Sequence, residues 1–371
     1  MPDTLPNEGT AMQFQVRTDD ITRTRLVEAG TADALGEGEV RVAVDRFGFS
    51  ANNITYAAAG FSLGYWKFFL PHGSDTEGWG VLPVWGFADV VESACDEVAV
   101  GERLFGYFPP ARHLVLQPKS VSAGHFIDGA AHRSELPTGY NLYRRVPAST
   151  PATVTAEDHH MLLYPLYVTS YALWDLLKEN DWFGAQRIVL TSASSKTSIG
   201  LAYALNTDPD APAVTGLTSA SNVSFVQSLG LYDDVLSYDD LASLDASVPT
   251  AIVDMAGNGA LLGAVHAHLS DSMVQTLQVG LTHWDNNRGD SSVIKERSTF
   301  FFAPSQIQKR LKDWGPVEFE ARSQAFLTRA TDHTKDWLTL KHLHGLDDLA
   351  AAYGGVCAGS AAPDEGLIVH V

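Results

Sequence analysis

The chain has 371 residues, more than one hydrophobic core usually organises, so its length predicts two domains. Apolar residues make up 45% and charged residues 19%, an ordinary globular usage that excludes a disordered or fibrous chain. Lys and Arg number 25 against 44 Asp and Glu, and the formal charge of −19 disfavours nucleic acids and anionic membranes as partners. An anionic ligand would therefore need local backbone dipoles and a few well-placed cations.

Cysteine content and the first residues bear on the compartment. Cys95 and Cys357 are too few for a disulfide framework or a four-thiolate zinc site. The start, MPDTLPNEGT, lacks the basic flank and apolar stretch of a signal peptide, and no apolar run approaches membrane-spanning length. These features predict a cytoplasmic protein with no membrane partner.

The first part of the chain, residues 12–150, is predicted to be rich in β-strands. Short apolar or alternating runs are separated there by Gly, Pro and Asn, as in EVRVAVDRF, ADVVESA, ERLFGYF and HLVLQP. Within it, residues 61–82 are dense in Phe, Tyr and Trp. This stretch suits the wall of a pocket for an apolar or aromatic substrate, and equally a lid or a dimer contact.

Helical spacing of apolar residues begins at 158–178. Strand-like and helical runs then alternate: RIVLTSA, SIGLAYAL, APAVTGLTSA, NVSFVQSLG, DDVLSY, TAIVDMAG, LLGAVHAHL and MVQTLQVGL. Such alternation predicts right-handed βαβ units and a doubly wound parallel sheet. After Lys295 the pattern changes again, and the closing GLIVHV predicts a return to the first domain.

Residues 187–200 could form a dinucleotide site, which requires a strand, a tight turn and a helix N-terminus. RIVLT runs into SASSKTS, and a helix opens near Ile199 with Gly200 where strand and helix would pack closely. A plain helix N-cap remains open for this cluster, whereas a Walker A loop would need two glycines that are absent. The candidate cofactor-binding residues of the loop are Ser195, Lys196, Thr197, Ser198, Ile199 and Gly200.

The second strand of this region, APAVTGLTSA, ends without the acidic residue that NAD enzymes use for the ribose 2′-hydroxyl. Thr218, Ser219, Ser221 and Asn222 occupy that place. Neutral hydrogen-bonding groups accept a 2′-phosphate without charge repulsion, and Lys196 could neutralise part of its charge. The sequence therefore favours NADP(H) over NAD(H).

Several segments, taken in order, resemble the medium-chain dehydrogenase/reductase (MDR) superfamily, especially its quinone-oxidoreductase and enoyl-reductase branch. They are FSANNITYAAAG, VGERLFGY, PLYVTSYALWDLL, VTGLTSASNVSFVQSLGLYDDVLSYDD, TAIVDMAGN, QVGLT and GLIVHV. The resemblance implies an α/β protein with a GroES-like β-rich domain and a Rossmann doubly wound parallel-sheet domain, and it makes a homodimer the expected assembly. We accordingly predict a GroES-like substrate and catalytic domain over 1–155, a Rossmann domain over 156–295 and a return segment over 296–371.

The resemblance also carries cofactor contacts beyond the loop. It implies that Tyr238, Met255, Gly257 and Gly280 lie beside the cofactor, and Phe302 could shield the nicotinamide if it is not simply core. In the loop itself, Thr197 and Ser198 replace two glycines of the family's Gly-Gly-Val-Gly pattern. Cofactor geometry could therefore be altered.

Zinc ligands are not recognisable. The region that would hold the family's Gly-His-Glu element reads LPVWGFADVVES, and the histidines of the first half lack convincing ligand spacing. These histidines are His72, His113, His125, His132, His159 and His160. We predict a zinc-independent protein.

In a zinc-free reductase the protein must orient the acceptor and stabilise charge on its oxygen. Tyr56 is the first candidate for that proton donor, with a buried structural tyrosine as the alternative. Asn52 and Asn53 could donate amide hydrogens in the same place, or could serve only turn chemistry at a strand end.

The leading hypothesis is an NADP(H)-dependent oxidoreductase acting on an apolar or aromatic carbonyl, quinone or activated alkene. A second hypothesis, favoured by Thr197 and Ser198, is a non-redox C–C bond lyase or hydrolase on the same scaffold. A third is a non-enzymatic ligand-binding homologue, since no strong acid, base or metal site is evident.

Overall fold

The computed structural model describes residues 12–28, 34–280 and 293–371. Two compact units make up the structure: unit 1 comprises Met1–Leu162 and Thr339–Val371, and unit 2 comprises Leu163–Leu338. The polar first ten residues, and Leu281 and Thr282 of the QVGLT segment, lie outside the described residues. None of the described helices combines the length and apolar character needed to cross a membrane.

The strands of unit 1 are β1 (Met12–Arg17), β2 (Thr24–Glu28), β3 (Val40–Phe49), β4 (Trp79–Gly80), β5 (Val84–Ser93), β6 (Arg103–Phe108), β7 (His113–Leu116), β8 (Pro118–Lys119), β9 (His125–Asp128), β10 (Leu142–Val146), β17 (Thr339–His344) and β18 (Glu365–His370). The strands of unit 2 are β11 (Arg187–Thr191), β12 (Ala213–Thr218), β13 (Asp234–Ser237), β14 (Thr250–Asp254), β15 (Met273–Gln278) and β16 (Ser298–Phe300). The helices are α1 (Ala51–Ala58), α2 (Val154–Glu179), α3 (Lys196–Asn206), α4 (Val223–Ser228), α5 (Gly259–Leu269), α6 (Ala303–Trp314), α7 (Pro316–Thr334) and α8 (Leu346–Cys357).

Unit 1 is the β-rich part that the sequence predicts. Its large sheet has the order β17-β18-β3-β5-β6-β10-β9-β8, with β7 also paired to β3, and a smaller sheet has the order β2-β1-β4. The pairs are antiparallel apart from β17 and β18, which run parallel. Alternate residues of β3 are buried along its first half, as expected of a strand that packs one face on a core.

The first turns of α2 belong to unit 1 because ion pairs hold them to β3. Arg46 of β3 donates to Asp158 over 2.7 Å and to Glu157 over 2.8 Å, and Arg46 and Asp158 are both buried. A buried charge must be paired, so these contacts fix the start of the helix. The helix predicted over 158–178 is confirmed, with its first residue at Val154.

Unit 2 is a doubly wound parallel sheet. Its strand order is β13-β12-β11-β14-β15-β16, and every neighbouring pair is parallel. The residues of β11 and β14 are all buried, as expected where helices cover both faces of a sheet. This order is that of the dinucleotide-binding Rossmann fold, in which ligands sit outside the carboxyl ends of the strands where the strand order reverses.

The observed boundaries differ from the predicted ones. The return segment was predicted from residue 296, but β16 pairs with β15 and residues 296–338 lie in unit 2. Phe301 is buried in the core of unit 2, and the chain re-enters unit 1 at Thr339 with β17. A three-residue strand followed by two amphipathic helices carries no mark of its domain in the sequence, which explains the difference.

Candidate functional site

The carboxyl edge of the unit 2 sheet carries most of the predicted cofactor residues, beginning with the loop after β11. Ser192 takes a left-handed backbone conformation with φ of 49°, which is uncommon outside glycine. Its amide donates to the hydroxyl of Tyr238 over 3.0 Å. The structure thus brings predicted Tyr238 directly against the loop. Non-glycine residues in this conformation cluster at ligand-binding turns, which supports a binding role for the loop.

The loop ends in a capped helix. Ser195 is the N-cap of α3, and its hydroxyl oxygen accepts from the amide of Ser198 over 3.3 Å. The Ser198 hydroxyl in turn donates to the carbonyl of Thr191 over 3.1 Å. Lys196 and Thr197 therefore lie in the first turn of α3, where the helix dipole favours an anion. Ser195 is an N-cap, and the same helix end keeps the polarity that a diphosphate requires.

Gly200 and Ile199 fix the position of α3. A Cβ at Gly200 would lie 2.6 Å from the ring of Tyr167 and 2.7 Å from the hydroxyl of Ser170. The predicted close approach is therefore real, but its partner is α2 rather than β11. Ile199 is buried in the core, and the Ser170 hydroxyl donates to the carbonyl of Thr197 over 2.8 Å.

The end of β12 supplies hydroxyl and amide groups without a carboxylate. The hydroxyl oxygen of Ser194 accepts from the side-chain amide of Asn222 over 3.0 Å and from the hydroxyl of buried Thr218 over 3.4 Å. The hydroxyls of Ser219 and Ser221 lie 3.0 Å apart on the exposed side of the turn. Two of the four predicted residues at the end of β12, Thr218 and Asn222, thus contact the loop after β11, while Ser219 and Ser221 pair with each other on the exposed side.

Asp254, the last residue of β14, organises the neighbouring strand ends. Its carboxylate accepts from the Thr191 hydroxyl over 2.7 Å and from the amides of Ala256 and Gly257 over 3.1 and 3.3 Å. Burial raises the pKa of this carboxyl group, and those three donors lower it in part. Sequence reasoning did not select Asp254, although an acidic residue that directly follows the apolar run TAIV was a usable signal.

The remaining predicted residues meet around Asp254. The amide of Met255 donates to the Thr191 hydroxyl over 3.0 Å, and the amide of Gly280 donates to the Asp254 carbonyl over 3.0 Å. A Cβ at Gly280 would lie 2.2 Å from the carbonyl oxygen of Met255, so only glycine fits there. Phe302 is half-buried as the residue before α6.

A second candidate region is an aromatic group inside unit 1, which we call the tyrosine cluster: Tyr56, Tyr65, Phe68, Trp85, Tyr107 and Tyr140. The rings of Tyr56 and Tyr65 lie 4.5 Å apart, and those of Tyr107 and Tyr140 lie 4.9 Å apart. Tyr65 and Phe68 come from the aromatic stretch 61–82, so part of that stretch packs within its own unit.

The hydroxyls of the tyrosine cluster are held in an apolar environment. Those of Tyr65 and Tyr140 lie 3.1 Å apart, while the buried hydroxyl of Tyr107 has no hydrogen-bond partner within the described part of the chain. Burial raises the pKa of Tyr56, and the side chains of Asn52, Trp85 and Tyr107 offset part of that increase. The Tyr56 hydroxyl therefore stays protonated to higher pH than an ordinary phenol.

Asn52 and Asn53 begin a helix instead of ending a strand. Ser50 caps α1, and Asn53 completes the capping box by accepting from the Ser50 amide over 2.9 Å. The Asn53 amide group also donates to the carbonyl of Pro83 over 3.1 Å. Asn53 thus has both ends engaged in structure, whereas Asn52 is half-buried beside Tyr56.

Within residues 12–28, 34–280 and 293–371, no group of three or more His, Cys, Asp or Glu side chains is arranged to hold a metal ion.

A family model described as "Protein of unknown function (DUF2855)" matches residues 47–362. The chain belongs to this family. None of the curated proteins matches it.

Solved structures match over nearly the whole chain at low identity. CurA from Vibrio vulnificus, in complex with NADPH, has a TM-score of 0.64 and 13% identity, covering 97% of this chain and 99% of CurA. A putative NADPH:quinone reductase from Bacillus thuringiensis has a TM-score of 0.56 and 12% identity, covering 98% of this chain and 100% of that reductase. A mutant enoyl thioester reductase from Candida tropicalis has a TM-score of 0.54 and 12% identity, covering 98% of this chain and 100% of the reductase. The likeness confirms the predicted fold, an α/β protein with a GroES-like β-rich domain and a Rossmann doubly wound domain.

Proposed function

We propose that this DUF2855 member is an NADP(H)-dependent, zinc-independent oxidoreductase that acts on an apolar or aromatic carbonyl, quinone or activated alkene. The observation that carries the proposal is the end of β12, where the exposed hydroxyls of Ser219 and Ser221 stand at the place of the acidic residue of NAD enzymes. CurA, whose structure has a similar fold, was solved in complex with NADPH, and this supports NADP(H) as the cofactor of the present chain.

The residues at the carboxyl edge fit such a dinucleotide in most respects. The first turn of α3 offers the diphosphate a helix N-terminus, and Lys196 adds a cation to it. Ser219 and Ser221 would hold the 2′-phosphate through neutral donors. The missing side chain of Gly280 lets the loops after β14 and β15 approach closely, beside the proposed nicotinamide position.

When bound, NADPH would supply the hydride of the reduction. The chain's own part is then to donate a proton, and we assign that role to the hydroxyl of Tyr56, a phenol that is protonated at neutral pH. Asn52 would position that hydroxyl. The apolar rings of Tyr65, Phe68 and Trp85 would keep water away from the donor and favour an apolar or aromatic substrate.

A non-redox lyase or hydrolase on this scaffold is the second candidate, and one observation favours it. The amide of Ser198 already donates to the Ser195 hydroxyl. In the glycine-rich loop of the MDR superfamily, the corresponding amide would be available to donate to the diphosphate. A loop closed on itself in this way is compatible with a changed use of the cofactor.

Titration of the purified chain with NADPH and with NADH tests the proposal. A ligand that binds only the native state raises its melting temperature, and nicotinamide fluorescence reports the binding directly. We expect micromolar NADPH binding with NADH much weaker. Binding of neither nucleotide would overturn the oxidoreductase proposal, and carbonyl cleavage without a change in NADPH absorbance would establish the second candidate.

A further inference from the structure

Unit 2 contains a cleft at the far end of α3 from the carboxyl edge. Its volume is about 630 Å³, and it is lined by α2, the last turn of α3 with the following turn, α6 and α7. A helix of the length of α3 separates its two ends by roughly 15 Å, so the cleft is distinct from the proposed nucleotide site. We call it the α2/α7 cleft.

The acidic side chains of the α2/α7 cleft are already neutralised. Asp208 accepts from Lys178 over 2.7 Å and from the indole nitrogen of Trp174 over 2.8 Å. Asp175 accepts from Arg310 over 2.6 Å and from Gln306 over 2.6 Å. These carboxylates therefore have little remaining capacity to attract a cation.

Glu179 is the third acid of the cleft, and it is engaged in the same way. Its carboxylate accepts from Arg310, from Gln306 over 3.3 Å and from Lys309. Asp175, Glu179 and Asp208, the three acidic residues of the lining, are thus all engaged in ion pairs within the protein.

Two arginines of α7 remain for a ligand. Arg322 pairs with Glu318 one turn earlier on the same helix, and both side chains are about half exposed, so this pair contributes little. Arg329 has no ion pair among the described residues. In a chain with a formal charge of −19, a cleft with two available arginines is a local site for an anion.

Tyr171 provides an independent sign of a ligand. Its side chain lines the cleft and is only 4% exposed, yet its hydroxyl has no hydrogen-bond partner within the described residues. The little of this side chain that remains accessible lines the cleft, so its hydroxyl is placed to donate to a bound acceptor. Burial and the charge of Asp175 raise its pKa to about 12, which keeps the hydroxyl a donor at neutral pH.

The apolar walls of the cleft are aromatic. The ring of Tyr171 lies 5.6 Å from that of Trp174 and 5.6 Å from that of Phe326. Trp314 is held by Arg310 and Arg322, whose guanidinium carbons lie 4.6 and 4.5 Å from its ring centre. An aromatic ring gains from packing against such surfaces, and the volume admits a ligand of two fused rings.

We propose that the α2/α7 cleft binds an aromatic carboxylate. The ring packs against Tyr171, Trp174 and Phe326, and the carboxylate is held by Arg322 and Arg329 with the Tyr171 hydroxyl as a further donor. This site is separate from the proposed oxidoreductase function and does not depend on it.

Binding of 2-naphthoate to the full chain, measured by calorimetry and by quenching of tryptophan fluorescence, tests this site, with 2-naphthylmethanol as the neutral probe. We expect saturable binding of the carboxylate and at least tenfold weaker binding of the alcohol. The double variant Arg322→Gln and Arg329→Gln should weaken naphthoate binding about tenfold or more, and Tyr171→Phe by a smaller factor. The control is the double variant Lys312→Gln and Lys335→Gln, which removes the same charge from exposed positions outside the cleft. This control should leave naphthoate binding unchanged.

Three outcomes would overturn the proposal: no naphthoate binding at millimolar concentration, equal binding of acid and alcohol, or equal losses in the arginine and lysine double variants. Ser219→Asp, at the other end of α3, separates the two sites. It should leave naphthoate binding intact whether or not the chain binds NADPH.

Discussion

The carboxyl edge of unit 2 and the tyrosine cluster of unit 1 place polar groups in two different ways. At the edge, hydroxyls, amides and Asp254 hydrogen-bond to one another at strand ends, and two serine hydroxyls stay exposed. In the tyrosine cluster, the hydroxyls are buried among rings, and that of Tyr107 has no partner within the described residues. The polar groups of the edge are paired with one another or open to solvent, whereas the cluster keeps phenols protonated in an apolar surrounding.

Acid should destabilise both units, because each contains a histidine whose surroundings favour the neutral form: His266 is fully buried and His160 is half-buried. His266 in unit 2 accepts from the Ile294 amide over 2.9 Å and lies 2.9 Å from the Thr276 hydroxyl, and His160 in unit 1 packs 4.5 Å from the Phe105 ring. Burial lowers the pKa of both to about 4. Below pH 6.5 the unfolded chain binds more protons than the folded chain, so stability falls as the pH drops from about 6.5 to about 4.

The loss should reach up to about 3 kcal/mol for each histidine, measured as the free energy of urea unfolding at several pH values. His266→Gln should remove its share of the pH dependence, while His125→Gln on the exposed face of β9 should not. An unchanged slope in His266→Gln would show that this residue is not held neutral.

Gly280→Ala should break the carboxyl edge without reaching the tyrosine cluster. The added methyl would lie 2.2 Å from the Met255 carbonyl oxygen, a backbone atom that cannot rotate away. We expect a loss of about 2 to 3 kcal/mol in the free energy of unfolding, as for other overpacked sites. Gly124→Ala is the matched control, since a methyl there meets no atom within 4 Å and its φ is ordinary. Equal stability of the two variants would contradict the close approach.

How far the sequence predicts each region follows from the same contrast. The edge is built from strand ends, so runs such as RIVLT and APAVTGLT pointed to its position, but Thr191, Ser192, Ser194 and Asp254 were not selected. The tyrosine cluster joins residues that are far apart along the chain, from Tyr56 to Tyr140. No periodicity connects them, so only Tyr56 and the aromatic stretch could be selected in advance.

The fold was predicted better than the details of either region. The predicted fold class is confirmed, yet the sequence did not reveal that residues 296–338 stay in unit 2. Nor did it show that a helix begins at Ala51, because the capping box of Ser50 and Asn53 follows directly on the buried strand β3, which ends at Phe49. Short-range capping and a three-residue edge strand are decided by packing rather than by pattern.

Ser219→Asp tests whether the edge excludes a 2′-phosphate when it gains a carboxylate. Repulsion between the new charge and the phosphate should raise the NADPH dissociation constant about 10- to 100-fold, with little loss of NADH binding. Ser219→Asn adds a polar side chain of the same size as Asp without the charge, and it should change the NADPH dissociation constant far less. The comparison is read from nicotinamide fluorescence titrations. Equal NADPH affinity in the two variants would show that the 2′-phosphate does not bind at the end of β12.

Tyr107→Phe and Tyr143→Phe remove hydroxyls from two fully buried tyrosines of unit 1 with opposite surroundings. The Tyr143 hydroxyl donates to the Tyr107 carbonyl over 2.7 Å and accepts from Arg133 over 3.3 Å, so its loss should lower the free energy of unfolding by about 1 to 2 kcal/mol. The Tyr107 hydroxyl has no such partner in the described structure, and its removal should cost almost nothing. If Tyr107→Phe then loses activity while keeping its stability, that hydroxyl acts on the substrate; if it loses stability like Tyr143→Phe, the hydroxyl is a structural hydrogen-bonding group.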